Sequence, residues 1–140
     1  MSDKRERILA AAETLIAHCG FQGMSMQLVA KHANVATGTI YRYFADKETL
    51  LRCVHEERMC EVSAAILQNV DTTQPDYDQF RQLWLNTLHY LQTNPDSLCY
   101  RIQYEASPLF DREEERQTNE RHFQPVFEFF ELGREAGLFR

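Results

Sequence analysis

Glycine and proline are scarce, at five and four residues among 140, and the first proline stands at position 75. Turn-forming residues are too few to punctuate a sheet of short strands, so the chain reads as all-α with long helices. Long apolar runs are missing too: none approaches the ~20 residues that a membrane-spanning helix needs. The opening residues Met1, Ser2, Asp3, Lys4 and Arg5 lead into an amphipathic segment instead of an apolar signal core, so a cytoplasmic chain without a membrane partner is expected. The four cysteines, Cys19, Cys53, Cys60 and Cys99, form neither a CxxC pair nor a Cys/His cluster of zinc-ligand spacing. A reduced chain with no metal site follows, the cysteines serving as small buried hydrophobes; a thiol switch would need an exposed thiolate.

Catalytic patterns are equally thin. The histidines at 18, 32, 55, 89 and 122 make no HExxH or other catalytic arrangement, and Glu113-Glu114-Glu115 belongs to a solvated charge run. Neither an enzyme nor a cofactor is expected.

An excess of positive charge is also lacking. The formal net charge is −6, whereas a generic polyanion binder carries surplus Lys and Arg that displace counterions from phosphate. The average hides a split. Residues 1–52 hold seven Lys/Arg against five Asp/Glu, and residues 53–140 hold eight against sixteen. All three lysines, Lys4, Lys31 and Lys47, lie in the first part.

What is present is helical periodicity. Ile8, Ala12, Leu15, Ile16 and Cys19 predict a first helix from Asp3 to Cys19, stopped by Gly20. Ser25 can cap a short second helix with Leu28, Val29 and Ala33 on its apolar side, and Asn34 can take the left-handed turn that closes it. A third short helix covers Thr37 to Phe44. Asp46 caps a long fourth helix carrying Leu50, Leu51, Val54, Val62, Ala65 and Ile66. After Asp71 to Asp76, the repeat Tyr77, Phe80, Trp84, Leu88 and Leu91 predicts a fifth helix. Asp96 starts a sixth with Leu98, Ile102 and Tyr104, and the last runs from Asp111 to about Gly137 with Phe123, Phe127, Phe129 and Phe130.

Two short helices joined by a tight turn, backed by a longer one, are the layout of a helix-turn-helix (HTH) reader whose second short helix enters a major groove. Thr37, Gly38, Thr39, Tyr41, Arg42 and Tyr43 give that helix hydroxyls, phenols and a guanidinium, while Ile40 and Phe44 anchor it. Gly38 would let the backbone approach DNA closely. Lys47 stands in the first turn of the next helix, within reach of a phosphate. For Lys4, Arg5 and Arg7, phosphate contact and a solvated first turn are both open.

The run from Ile8 to Leu51, ILAAAETLIAHCGFQGMSMQLVAKHANVATGTIYRYFADKETLL, resembles the DNA-binding domain of TetR-family transcriptional repressors. The match holds Gly20-Phe21, Ser25, Ala30, Val35, Gly38-Thr39, Tyr41, Tyr43-Phe44, Lys47-Glu48 and Leu50-Leu51 in one register. The resemblance implies an HTH domain over residues 1–48 and a helical ligand-binding and dimerisation domain over 49–140. It implies a double-stranded DNA operator of palindromic sequence, a homodimer in the full-length form, and a small-molecule effector that releases the operator. Thr37, Gly38, Thr39, Tyr41 and Tyr43 are then placed on the operator and Lys47 on phosphate; Arg42, at a variable position, is the candidate for base choice. Where Ala36 stands the family often has Ser or Thr, so Thr37 is expected to cap the helix and start it one residue later. The family continues for two helices beyond the point where this chain stops.

An effector pocket pairs apolar walls with a few polar groups, which makes Trp84, Tyr100, Tyr104, Glu105, Phe123 and Phe127 its candidates. A buried Glu105 would favour cationic ligands. Aromatics at helical spacing are also what a core needs. The competing reading of the whole chain is an all-α ligand-binding or protein-interaction module in which the HTH is only scaffold.

Overall fold

The computed structural model describes residues 3–140; the reading of Met1 and Ser2 falls outside them. The described residues form helices α1 (Asp3–Gly23), α2 (Met26–His32), α3 (Thr37–Tyr43), α4 (Lys47–Leu67), α5 (Tyr77–Thr93), α6 (Pro95–Glu105) and α7 (Arg112–Glu135), with no strand among them. They divide into two compact units. The first runs through Glu57 and takes in Asn94–Asp111; the second holds Arg58–Thr93 and Arg112–Arg140.

In the first unit, α1 buries Ile8, Leu9, Ala12, Leu15 and Ile16 on one face. Gly20 interrupts it at φ 72°, a left-handed conformation that glycine adopts without strain, and one further turn follows. A Cβ at Gly20 would also stand 3.1 Å from Oε1 of Gln103 on α6. Ser25 Oγ accepts from the Leu28 amide at 3.1 Å and so starts α2, and Asn34 closes the turn at φ 55°. Asp46 Oδ1 accepts from the Thr49 amide at 2.7 Å, which fixes the start of α4. Leu50, Leu51 and Val54 of α4 join the same core, together with Met24, Met26, Val29 and Ala30. Tyr100 and Tyr104 complete it from α6, with buried His55 of α4 stacked on Tyr104 at a centroid separation of 4.0 Å.

The second unit closes on aromatic rings. Phe129 is fully buried and meets Phe130 edge-on at 5.5 Å, while Phe139 packs against both and against Phe80 of α5. Gly133 makes room for that ring, because a Cβ there would collide with Phe139. The chain folds back to place it: the Leu138 amide donates to Gly133 O at 2.8 Å and the Gly137 amide to Arg134 O at 3.0 Å, with Gly137 at φ 71°. Asn86 Nδ2 donates to the carbonyls of Ile66 and Gln68, satisfying groups that the end of α4 leaves open. Pro125 lies inside α7, a helix interior that proline ordinarily interrupts.

Several expectations are corrected. Cys19 is exposed and Leu9 is buried, because the face of α1 that meets the core is centred on Leu9, Ala12 and Ile16. Cys60 and Cys99 are exposed as well, so these thiols are not core hydrophobes, whereas half-buried Cys53 packs against the core of the first unit. Thr37 does not cap α3: the helix begins there, with Ala36 as N-cap and no side-chain hydrogen bond. Helix α6 starts one residue early, at Pro95, whose missing N–H costs nothing in a first turn. Leu98 and Ile102 are exposed, since the tyrosine face of α6 is the one turned to the core. On α5 the stripe of Tyr77, Trp84, Leu88 and Leu91 is exposed and Leu83 is buried instead. Within the charge run, Glu115 is buried.

Candidate nucleic-acid interface

Helix α3 is held from behind and open in front. Ile40 is fully buried and Phe44, its C-cap, is 2% exposed, with the Phe44 amide donating to Ile40 O at 3.0 Å. Two large apolar anchors four residues apart fix both the tilt and the rotation of a seven-residue helix that could not persist alone. Thr37, Gly38, Tyr41 and Arg42 then face solvent, with Tyr41 51% exposed, and Thr39 is half-buried. No side-chain hydrogen bond or ion pair among the described residues engages Thr37, Thr39, Tyr41 or Arg42. Their polar groups are free to bind something else.

Gly38 shows what that surface leaves open. Nothing lies within 4 Å of a Cβ built there, so no neighbour in the fold demands glycine. Glycine in a helix costs roughly 0.5–1 kcal/mol relative to alanine. The bare backbone of Gly38 is therefore open to solvent on the outward side of α3.

Tyr43, 37% exposed, stands beside Phe44 with ring centroids 6.4 Å apart. Lys47 sits at the start of α4, and its Nζ donates to the Phe21 carbonyl oxygen while lying 4.1 Å from the centroid of the Phe21 ring. Partial burial pushes its ammonium below the ordinary lysine range. An ammonium has three donors, so one bond to Phe21 leaves two for a phosphate.

The three cations of α1 take different places. Lys4 is exposed and Arg7 Nε pairs with Asp3 at 3.3 Å. Arg5 Nη1 bonds Glu57 Oε1 of α4 at 2.9 Å, and its guanidinium lies 5.8 Å from the centroid of the Phe44 ring. The sequence reading missed this bridge, whose ends are 52 residues apart.

Fold comparison and family models agree on these elements. Residues 8–54 match the model of bacterial regulatory proteins, tetR family, and residues 75–140 match that of the tetracyclin repressor-like C-terminal domain. A TetR-family protein of Vibrio parahaemolyticus, solved as a putative transcriptional regulator, superposes with a TM-score of 0.79 at 41% identity, over 96% of this chain and 73% of that one. The chain belongs to the TetR family. A second TetR-family regulator structure, from Haemophilus influenzae, gives a TM-score of 0.80 at 33% identity over 96% of this chain and 72% of its own. Among curated proteins, an HTH-type transcriptional regulator of Haemophilus influenzae is 39% identical over 109 residues, 78% of this chain and 58% of that protein. This TetR-family chain thus spans little more than half the length of that relative. The HTH-type transcriptional repressor KstR of Rhodococcus jostii is 45% identical over 49 residues, 35% of this chain and 23% of its own. The relatives are transcriptional regulators, not enzymes.

The candidates for effector contact are distributed between the two units of this TetR-family chain. Tyr100 and Tyr104 are core residues of the first unit, and Glu105 is exposed with Oε1 bonded to Arg101 Nε at 2.6 Å, so the condition under which it would favour cationic ligands is not met. Trp84 and Phe127 are exposed and Phe123 is half-buried in the second unit. An open groove of about 380 Å³ lies in the first unit where α1 and α6 end, lined by Gly20, Phe21, Gln103, Ala106 and Ser107 among others; none of the six candidates lines it. Among the described residues no helix is long and apolar enough to cross a membrane, and no cluster of His, Cys, Asp or Glu is arranged to hold a metal.

Proposed function

We propose that this chain is the DNA-reading part and a portion of the regulatory part of a cytoplasmic transcriptional repressor. Residues 1–48 read a palindromic double-stranded operator, and the helices from residue 49 onward respond to a small-molecule effector that releases it. The full-length protein acts as a homodimer. The observation that carries this reading is α3: a helix anchored by Ile40 and Phe44 whose outward groups, Thr37, Gly38, Tyr41 and Arg42, have no partner in the fold. Repression as the mode of control is supported by the likeness to KstR over the reading segment.

The roles follow from chemistry. The hydroxyls of Thr37, Thr39, Tyr41 and Tyr43 donate to phosphate oxygens or base edges, and the Lys47 ammonium neutralises a phosphate. Arg42 pairs with a guanine edge, a bidentate contact worth about 1–3 kcal/mol of discrimination. Effector contact belongs to Trp84, Phe123 and Phe127, since Tyr100 and Tyr104 are committed to a core and Glu105 to Arg101. The test is retention of genomic DNA fragments by the protein as salt is raised. Counterion release makes affinity fall linearly in log–log form, whereas salt-insensitive or absent retention by the dimeric full-length protein rejects DNA reading.

A further inference from the structure

We propose that Arg5 is a positioning residue for the reading helix and not a phosphate contact. The inference rests on the DNA-reading role of α3. Three elements meet at this one side chain. Arg5 leaves the first turn of α1, its Nη1 donates to Glu57 Oε1 of α4 at 2.9 Å, and its guanidinium lies 5.8 Å from the Phe44 ring centroid, within cation–π range. Both members of the ion pair are partly shielded, at 29% and 34% side-chain exposure.

Phe44 is where this arrangement acts. It is the C-cap of α3, turns the chain at φ −137° and ψ 123°, and is 2% exposed. Its ring neighbours that of Tyr43, a residue of the reading surface, at 6.4 Å. The carboxylate of Glu57 orients the guanidinium, the guanidinium holds the phenyl ring, and the ring sets where α3 ends and how Tyr43 is carried. The Nη1 donor and the guanidinium of Arg5 are directed to Glu57 and Phe44, so a phosphate that drew the side chain outward would loosen both contacts.

The two roles make opposite demands on Glu57. If Arg5 reached phosphate, Glu57 would compete for it, and Glu57→Gln would tighten DNA binding. If Arg5 positions Phe44, Glu57→Gln weakens binding in the same direction as Arg5→Ala. The experiment uses the full chain and a 30-base-pair duplex that the parent protein selects from a random-sequence library. Affinity is measured across a salt series for the parent, Arg5→Ala, Arg5→Lys, Glu57→Gln, Phe44→Leu and the pair Arg5→Ala with Phe44→Leu. Hydrogen exchange at the Phe44 amide, read without DNA, follows the helix end directly.

Expected are losses of about two- to fivefold for Arg5→Ala and Glu57→Gln, a smaller loss for Arg5→Lys, an unchanged salt slope, and faster Phe44 exchange in all three. Arg5→Ala adds nothing once Phe44 is Leu, because the surface it acts through is gone. Tighter binding by Glu57→Gln, or a salt slope reduced by about 0.9 in Arg5→Ala, overturns the inference in favour of a phosphate contact. So does Phe44 exchange at the parent's rate. Should Arg5→Ala fail to fold, Glu57→Gln alone decides by the sign of its effect. Failure of the parent to bind DNA would instead overturn the functional reading, with the exchange data still deciding what Arg5 does to Phe44.

Discussion

The Lys47 ammonium donates to the carbonyl oxygen of Phe21 and lies 4.1 Å from the centroid of that residue's ring, so the start of α4 is tied to the turn that ends α1. A lysine used this way has two effects that separate by substitution. Lys47→Met keeps the apolar stem and removes the charge and the donors. It is expected to lower the melting temperature slightly, through the lost bond to Phe21, and to reduce the salt slope of DNA binding by about 0.9, through the lost phosphate. An unchanged slope would confine Lys47 to the structural link.

Gly38 carries a prediction in which stability and function move apart. With open space around its Cβ position and a helical backbone, Gly38→Ala is expected to stabilise the fold by about 0.5–1 kcal/mol. The added methyl stands on the reading surface and weakens DNA binding. Denaturation and binding measured on one preparation check both signs, and equal affinity would remove Gly38 from the interface.

Asp46 gives a pH dependence of defined direction. The hydrogen bond from the Thr49 amide is the largest reason its carboxyl lies below the ordinary range, so the folded state holds the ionised form more firmly than the unfolded chain does. The stabilisation is therefore complete above the unfolded value near 3.8 and is lost as pH falls through the lower folded value. Asp46→Ala should melt below the parent at neutral pH, and the gap should narrow on acidification beneath that range. A gap independent of pH would show that the carboxylate is not the stabilising form.

In the second unit, Gly133 and Phe139 are predicted to be coupled. Gly133→Ala forces a methyl into the Phe139 ring and should cost about 1–3 kcal/mol, the usual range for overpacking. Phe139→Ala vacates that space. Combining the two should therefore cost less than the sum of the single losses. Strict additivity in a double-mutant cycle would contradict the packing.

The parts of this structure that were legible in the sequence are local ones. Ser25, Asn34 and Asp46 act within three or four residues of themselves, so their caps and turn could be read directly, and so could the anchoring pair Ile40 and Phe44 with the outward groups between them. What could not be read depends on the partner opposite. Helix α6 offers two apolar faces, one with Leu98 and Ile102 and one with Tyr100 and Tyr104; the second is buried because His55 of α4 stacks on Tyr104. The same holds for Leu83 on α5, chosen over the longer stripe of Trp84 and Leu88. Periodicity finds stripes and does not say which one is covered. The Arg5–Glu57 bridge and the His18–Asp96 contact at 3.0 Å join residues 52 and 78 positions apart, a separation that no local pattern encodes.

The central claim, that the outward face of α3 reads DNA, is tested most directly by the affinity of the full-length protein for its selected duplex. Parent and a variant carrying Tyr41→Ala, Arg42→Ala and Lys47→Ala are to be compared across a salt series. The account predicts parent affinity that falls linearly with salt on logarithmic axes, and a variant that folds with the parent's helicity, binds far more weakly and no longer distinguishes the selected sequence from others. A variant that binds the selected duplex as tightly as the parent would contradict it.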